Sequence, residues 1–168
     1  MALLVIVLCT SAVSADELDA VVTYVVDGDS FKVLLADGKR AEVRLQGIDA
    51  PEYKQAYGQQ SRASLLAILD QMPIRIDSKK RDRYGRLIAH VWVQPTDCKR
   101  CAKTLEAGLY QLTQGAAWYF RRFESELDED TRGRYASAEQ EARARKWGLW
   151  AAENPQAPWS WRKFHPRK

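Results

Sequence analysis

The chain has 168 residues, 46% of them hydrophobic and 29% charged, with 26 Lys and Arg against 22 Asp and Glu for a net charge of +4. This length fits one domain with a real core, and the absence of low-complexity tracts or internal repeats excludes a largely disordered chain. The basic balance suits an anionic partner and is carried by three clusters: Lys79, Lys80, Arg81, Arg83 and Arg86; Arg121 and Arg122; and Arg162, Lys163, Arg167 and Lys168.

Residues 1–15, MALLVIVLCTSAVSA, carry no charge, are apolar at the centre and end in Val-Ser-Ala. They read as a secretory signal cleaved after Ala15, which predicts a secreted or periplasmic protein. No Lys or Arg stands near the start, so the true start codon stays open. The segment is short for a membrane span, which needs about 20 apolar residues, and the bulky Leu8 before Cys9 argues against lipid attachment.

The predicted elements follow in order. Strand-like runs cover residues 20–26, 30–36 and 39–47, joined by Asp-Gly turns at 27–28 and 37–38, an antiparallel meander. Leu65, Leu66, Ile68 and Leu69 give residues 58–72 a helical spacing that Met72-Pro73 ends. Strands follow at 74–79 and 87–93, with RDRYGR turning between them. Leu105, Leu109 and Leu112 predict a helix from Ala102 to Gly115. An acidic loop, residues 124–130, precedes a last helix at 132–146. The tail, rich in Pro and Trp, is expected to run extended and pack its aromatics on residues 16–151. Five antiparallel strands with a helix between the third and fourth is the order of an OB-fold barrel. The expected class is α+β, a five-stranded OB-fold β-barrel with about three helices.

Two cysteines follow the apolar leader, Cys98 and Cys101 in TDCKRCAKT. In an oxidising compartment a disulfide is the expected fate. Zinc would want a second pair or suitably spaced histidines, and the chain has only His90 and His165. A redox pair would sit before a helix that follows a central strand, whereas this one follows a Pro-containing loop.

The chemistry concentrates in VVDGDSFKV, residues 25–33, and VRLQGIDAPE, residues 43–52. Strand alternation turns Val43 and Leu45 inward and Arg44 and Gln46 outward. If the first and third strands are neighbours, Asp29 and Asp49 converge. Clustered carboxylates repel unless a cation sits among them, and oxygen-only ligands favour Ca²⁺ or Mg²⁺. Hydrolysis of a phosphodiester asks for such a cation, for arginine forks on the phosphate and for a base. Arg44 and Arg86 are candidate forks and Glu52 a candidate base. Singly, each reads as an ordinary surface or loop residue; jointly they point to a site.

VVDGDSFKV, VRLQGIDAPE, RDRYGRLIAHV, GLYQLTQGAAWYFRRF and AEQEARARKWGLW resemble the staphylococcal nuclease family, in order and with similar gaps, over residues 20–151. The resemblance implies an OB-fold, Ca²⁺-dependent nuclease on DNA and RNA that leaves 3′-phosphate ends. It makes Asp29, Asp49 and the Ala50 carbonyl the metal ligands, Glu52 the general base, and Arg44 and Arg86 the phosphate-gripping pair. Tyr84 would lie beside the nucleotide and Phe123 would stack on the base. Ala50 and Phe123 depart from the type enzyme's threonine and tyrosine, which keeps the carbonyl and the ring but loses two hydroxyls. Single strands are the preferred substrate and a monomer the expected state. The rival readings are a non-catalytic nucleic-acid-binding OB module and, on the tryptophans alone, a secreted interaction protein. A nuclease with a histidine base has only His90 and His165 to use.

Overall fold

The computed structural model describes residues 17–98 and 100–165. The expected signal, residues 1–15, lies outside them. Strands β1 (Glu17–Val25), β2 (Ser30–Leu35) and β3 (Arg40–Leu45) form the expected meander. After a two-residue strand β4 (Ile48–Asp49) comes helix α1 (Gly58–Leu69), then β5 (Pro73–Arg81) and β6 (Leu87–Val93). The sheet runs β3-β2-β1-β5-β6, and β3 pairs with β6 in parallel to close a five-stranded barrel. The chain is thus an α+β protein built on an OB-type barrel.

Alternation explains the strands: in β6, Leu87, Ala89, Val91 and Val93 are buried while the residues between them are only partly so. Phe31, Val43, Leu65, Leu69, Ile74, Ile76 and Leu112 fill the centre. Strand β7 (Leu105–Glu106) extends β6, and helix α2 (Ala107–Thr113) starts five residues later than expected, because Glu106 caps it by accepting from Gly108 N (3.1 Å) and Leu109 N (2.7 Å). Strand β8 (Trp118–Tyr119) pairs with β4, and a 3₁₀ turn (Arg121–Glu126) leads to helix α3 (Glu129–Ala144). Helix α3 begins before the expected residue 132 since Asp128 caps it, accepting from Thr131 N at 2.8 Å.

Three expectations need correction. Strands β1 and β3 are not neighbours, for β2 lies between them. Arg44 does not face solvent: its side chain is 15% exposed, turned into carboxylates. The tail is not extended but forms a 3₁₀ turn (Gly148–Ala151) and helix α4 (Pro158–Phe164). Pro158 sits at the first helical position, where its missing N–H costs nothing, and Arg162 and Lys163 occupy the last turn, where cations favour the carbonyl end. The aromatics do pack down, with Trp159 5.4 Å from Trp118 and 5.5 Å from Phe120, ring centre to ring centre. Among the described residues no helix is long and apolar enough to cross a membrane.

Candidate active site

The Asp-Gly-Asp stretch is the entry to β2. Asp27 Oδ1 accepts from Asp29 N at 3.1 Å, and Val26 N and Asp27 N both donate to Ser30 O, which folds the turn. Gly28 is needed here for space: a Cβ at this position would lie 1.8 Å from Ser61 Oγ and 2.8 Å from the Ala50 Cβ. Fully buried Gln111 donates to Gly28 O (2.7 Å) and Ser61 O (3.1 Å), fixing the turn against α1.

Asp29 meets Asp49 through β2 and β3. Ser30 pairs with Arg44 across the ladder, and Leu45 N donates to Asp29 O at 2.8 Å. Asp49 stands on β4, just beyond the turn that ends β3. Arg44 lies between the two, with Nη1 2.5 Å from Asp29 Oδ1 and Nη2 2.8 Å from Asp49 Oδ1. Asp29 also accepts from Ser30 Oγ (2.7 Å) and, on Oδ2, from Ala50 N (2.7 Å). Burial works to raise the Asp29 carboxyl, but the Arg44 charge and these donors outweigh it and hold it below the usual carboxylate range. Burial and the Asp29 charge push its neighbour Asp27 up to about 7. Burial opposes the charge on Arg44, yet Asp29 and Asp49 keep its pKa above the ordinary arginine value.

The hairpin between β5 and β6 brings in the second predicted fork. Arg86 Nε and Nη2 hold Asp82 Oδ2, each at 2.8 Å, while Nη1 reaches Ser30 Oγ at 3.5 Å. Arg44 and Arg86 line one cavity of about 220 Å³ with Lys80, Asp82, Phe120 and Phe123. Phe123 is 45% exposed there, and its ring centre is 5.6 Å from that of Phe120. Tyr84 is exposed at the hairpin tip, outside the residues lining that cavity, where Arg83 and Arg86 lie over its ring. Phe120 was not expected; its place beside Arg121 and Arg122 in WYFRRF was the signal available.

Glu52 sits in the loop before α1, braced by that helix. A Cβ on Gly58 would lie 2.0 Å from Glu52 O, so only glycine lets α1 begin this close. Gln55 N donates to Glu52 O (2.8 Å), and Glu52 N donates to Gln55 Oε1 (3.2 Å). From the tail, Arg162 holds Asp49 with two nitrogens, Nη1 to Oδ1 at 3.1 Å and Nη2 to Oδ2 at 2.6 Å, and its Nη1 reaches Glu52 Oε1 at 2.9 Å. Sequence reading placed Arg162 only in a basic cluster.

Among the described residues no group of three or more His, Cys, Asp or Glu side chains stands at metal-holding spacing. The donor chemistry nonetheless fits a hard dication. Among the described residues, Asp49 Oδ1 takes two donors and Oδ2 one, which leaves Oδ2 room for one more partner. The remaining predicted pair, Cys98 and Cys101, is joined by a disulfide in the loop after β6. His90 lies in β6 near Glu106 and Tyr135, and His165 stacks on Trp161, so neither joins these carboxylates.

Residues 42–152 match the model of the family described as staphylococcal nuclease homologue. Protein ParB of Escherichia coli is 35% identical over 147 residues, covering 88% of this chain and 80% of its own length. An uncharacterized endonuclease of Haemophilus influenzae is 34% identical over 161 residues, 96% of this chain and 82% of its own. A micrococcal nuclease of Shigella flexneri is 31% identical over 142 residues, 84% and 79% of the two chains. With the barrel, the buried Asp29–Arg44–Asp49 group and the Arg86 hairpin on one face, the match places this chain in the staphylococcal nuclease family.

Proposed function

We propose that this chain is an exported, calcium-dependent nuclease that hydrolyses phosphodiester bonds of DNA and RNA, prefers single strands, leaves 3′-phosphate ends and acts as a monomer. One observation carries the reading: Arg44 and Arg86 line a single cavity, and Arg44 is held between two buried aspartates. Two guanidiniums directed by fixed carboxylates suit a phosphate whose equatorial oxygens gain charge in the transition state. The relatives named endonuclease and micrococcal nuclease support the same class.

In this mechanism Arg44 and Arg86 grip the scissile phosphate. Glu52 accepts the proton of the attacking water as its oxygen bonds to phosphorus, the P–O5′ bond breaks, and the 5′ oxygen leaves as a hydroxyl with a proton from solvent, so the phosphate stays on the 3′ side. Phe120 and Phe123 offer ring faces for a base, and Tyr84 borders the nucleotide; such stacking is worth about 1–3 kcal/mol per base. Asp29, Asp49 and the Ala50 carbonyl would hold the calcium ion, whose charge offsets that of the phosphate.

The test is cleavage of single-stranded DNA by the purified chain in calcium and in excess chelator, with Glu52→Ala alongside. Calcium-dependent cutting that the variant lacks is the expected result. DNA bound but uncut in every metal would make the protein a nucleic-acid-binding OB module instead. N-terminal sequencing of the exported protein checks cleavage after Ala15.

A further inference from the structure

We infer that Arg162, carried by the C-terminal helix, is a third arginine of the active site: a positioning residue that sets Glu52 against Asp49. The inference rests on the nuclease reading, in which Glu52 is the base. Helix α4 begins at Pro158, six residues past the end of the 42–152 family match, so the family pattern does not supply this residue.

Two independent ties join the tail to the Glu52 loop. The first is the guanidinium, whose Nη1 is shared between Asp49 Oδ1 (3.1 Å) and Glu52 Oε1 (2.9 Å) while Nη2 holds Asp49 Oδ2 (2.6 Å). Two carboxylates three residues apart, one at the end of β4 and one in the loop that follows, repel, and a planar fork that touches both fixes their separation and offsets their charge. The second tie is Gln55, 5% exposed: its Oε1 accepts from Glu52 N at 3.2 Å, and its Nε2 donates to Gln156 O at 2.6 Å. One amide therefore holds both the backbone of the candidate base and the approach to α4.

The helix is anchored well enough to transmit position. Pro158 is buried, and Trp159 packs on Trp118 and Phe120. A guanidinium is charged at any working pH, so Arg162 presents its fork to Asp49 and Glu52 as a cation. An arginine that only fastened the tail would have no reason to engage the base loop through both Glu52 and Asp49. Placed this way, it acts on the reaction through the orientation of Glu52 rather than by touching substrate.

The experiment measures kcat and KM on single-stranded DNA in calcium for wild type, Arg162→Ala and Arg162→Lys, with melting temperatures for each. Arg162→Ala is expected to lower kcat about 100-fold with KM within about twofold, since displaced catalytic and supporting groups cost on this scale. Arg162→Lys keeps the charge but not the fork and should fall between. Millimolar methylguanidinium should restore several-fold activity to Arg162→Ala, which a purely structural loss would not allow. Should the alanine variant be unfolded at the assay temperature, the folded lysine variant decides by the same kcat and KM split. A wild type that cuts DNA beside variants that cut equally well or faster would overturn the inference and make Arg162 a displaceable counter-ion. A wild type that cuts nothing would instead remove the nuclease reading on which the inference stands.

Discussion

At the scale of single residues, the site depends on how little space there is around it. Gly28→Ala forces a methyl into Ser61 Oγ, which itself donates to Ala116 O at 2.6 Å, so the turn or α1 must move. A loss of about 1–3 kcal/mol is expected from overpacking, read as a lower denaturant midpoint at unchanged slope. Arg86→Ala should lower kcat by about 100- to 1,000-fold, the range for removing one donor aimed at developing charge. The variant also leaves Asp82 without its Arg86 ion pair, so circular dichroism of the hairpin variant should accompany the kinetics. Sequence reading singled out Asp29, Arg44, Asp49, Glu52 and Arg86 as candidates because charge types at motif spacing are visible in one dimension. It misdirected Arg44 because alternation assigns faces relative to the barrel interior, while the carboxylates reach round the end of the strand to bury an outward residue. Gln55 and Arg162 were invisible as site residues, since neither belongs to a charge pattern near the motif they touch.

Whole elements were legible where their periodicity was long and uninterrupted. The five barrel strands and α1 came through on alternation and on Leu spacing, whereas helix starts shifted wherever a side chain cap outweighed the apolar pattern. Asp128 is the clearest case, accepting from Thr131 N and from Thr131 Oγ at 2.8 Å each. Those two hydrogen bonds hold its carboxyl below the ordinary value of 3.8. A depressed folded value means the cap contributes fully above the unfolded pKa and is lost as pH falls through the folded one. Asp128→Ala should therefore cost about 1 kcal/mol at neutral pH, and the gap between the two melting curves should close only below about pH 4. A gap that does not narrow at all as pH falls below about 4 would assign the stabilisation to something other than the ionised cap. Helix α4 was missed for the opposite reason: three prolines read as breakers, although one of them, Pro158, is a good first residue of a helix.

For the molecule as a whole, closure of the barrel was implied by element order but not its route, because pairing β3 with β6 joins segments that no local pattern connects. A buried polar group shows how tightly the helices then lock to it. Tyr135 Oη donates to Glu106 Oε1 at 2.9 Å, joining α3 to the start of α2 beside β6. Burial and the Glu106 charge hold the phenol well above its ordinary value. Tyr135→Phe should destabilise the protein by about 1–3 kcal/mol, because Glu106 loses a donor in a dry setting, and thermal melting measures it. The arginine that faces Asp49 and Glu52 lies 113 and 110 residues further along the chain than they do. A ribosome delivers the two carboxylates more than a hundred residues before their arginine, so a chain stopped between them carries Asp49 and Glu52 without the guanidinium that bridges them. Assembly order thereby becomes a safeguard: the barrel can close before the segment that bears Arg162 has been made, but the Asp49–Arg162–Glu52 arrangement cannot.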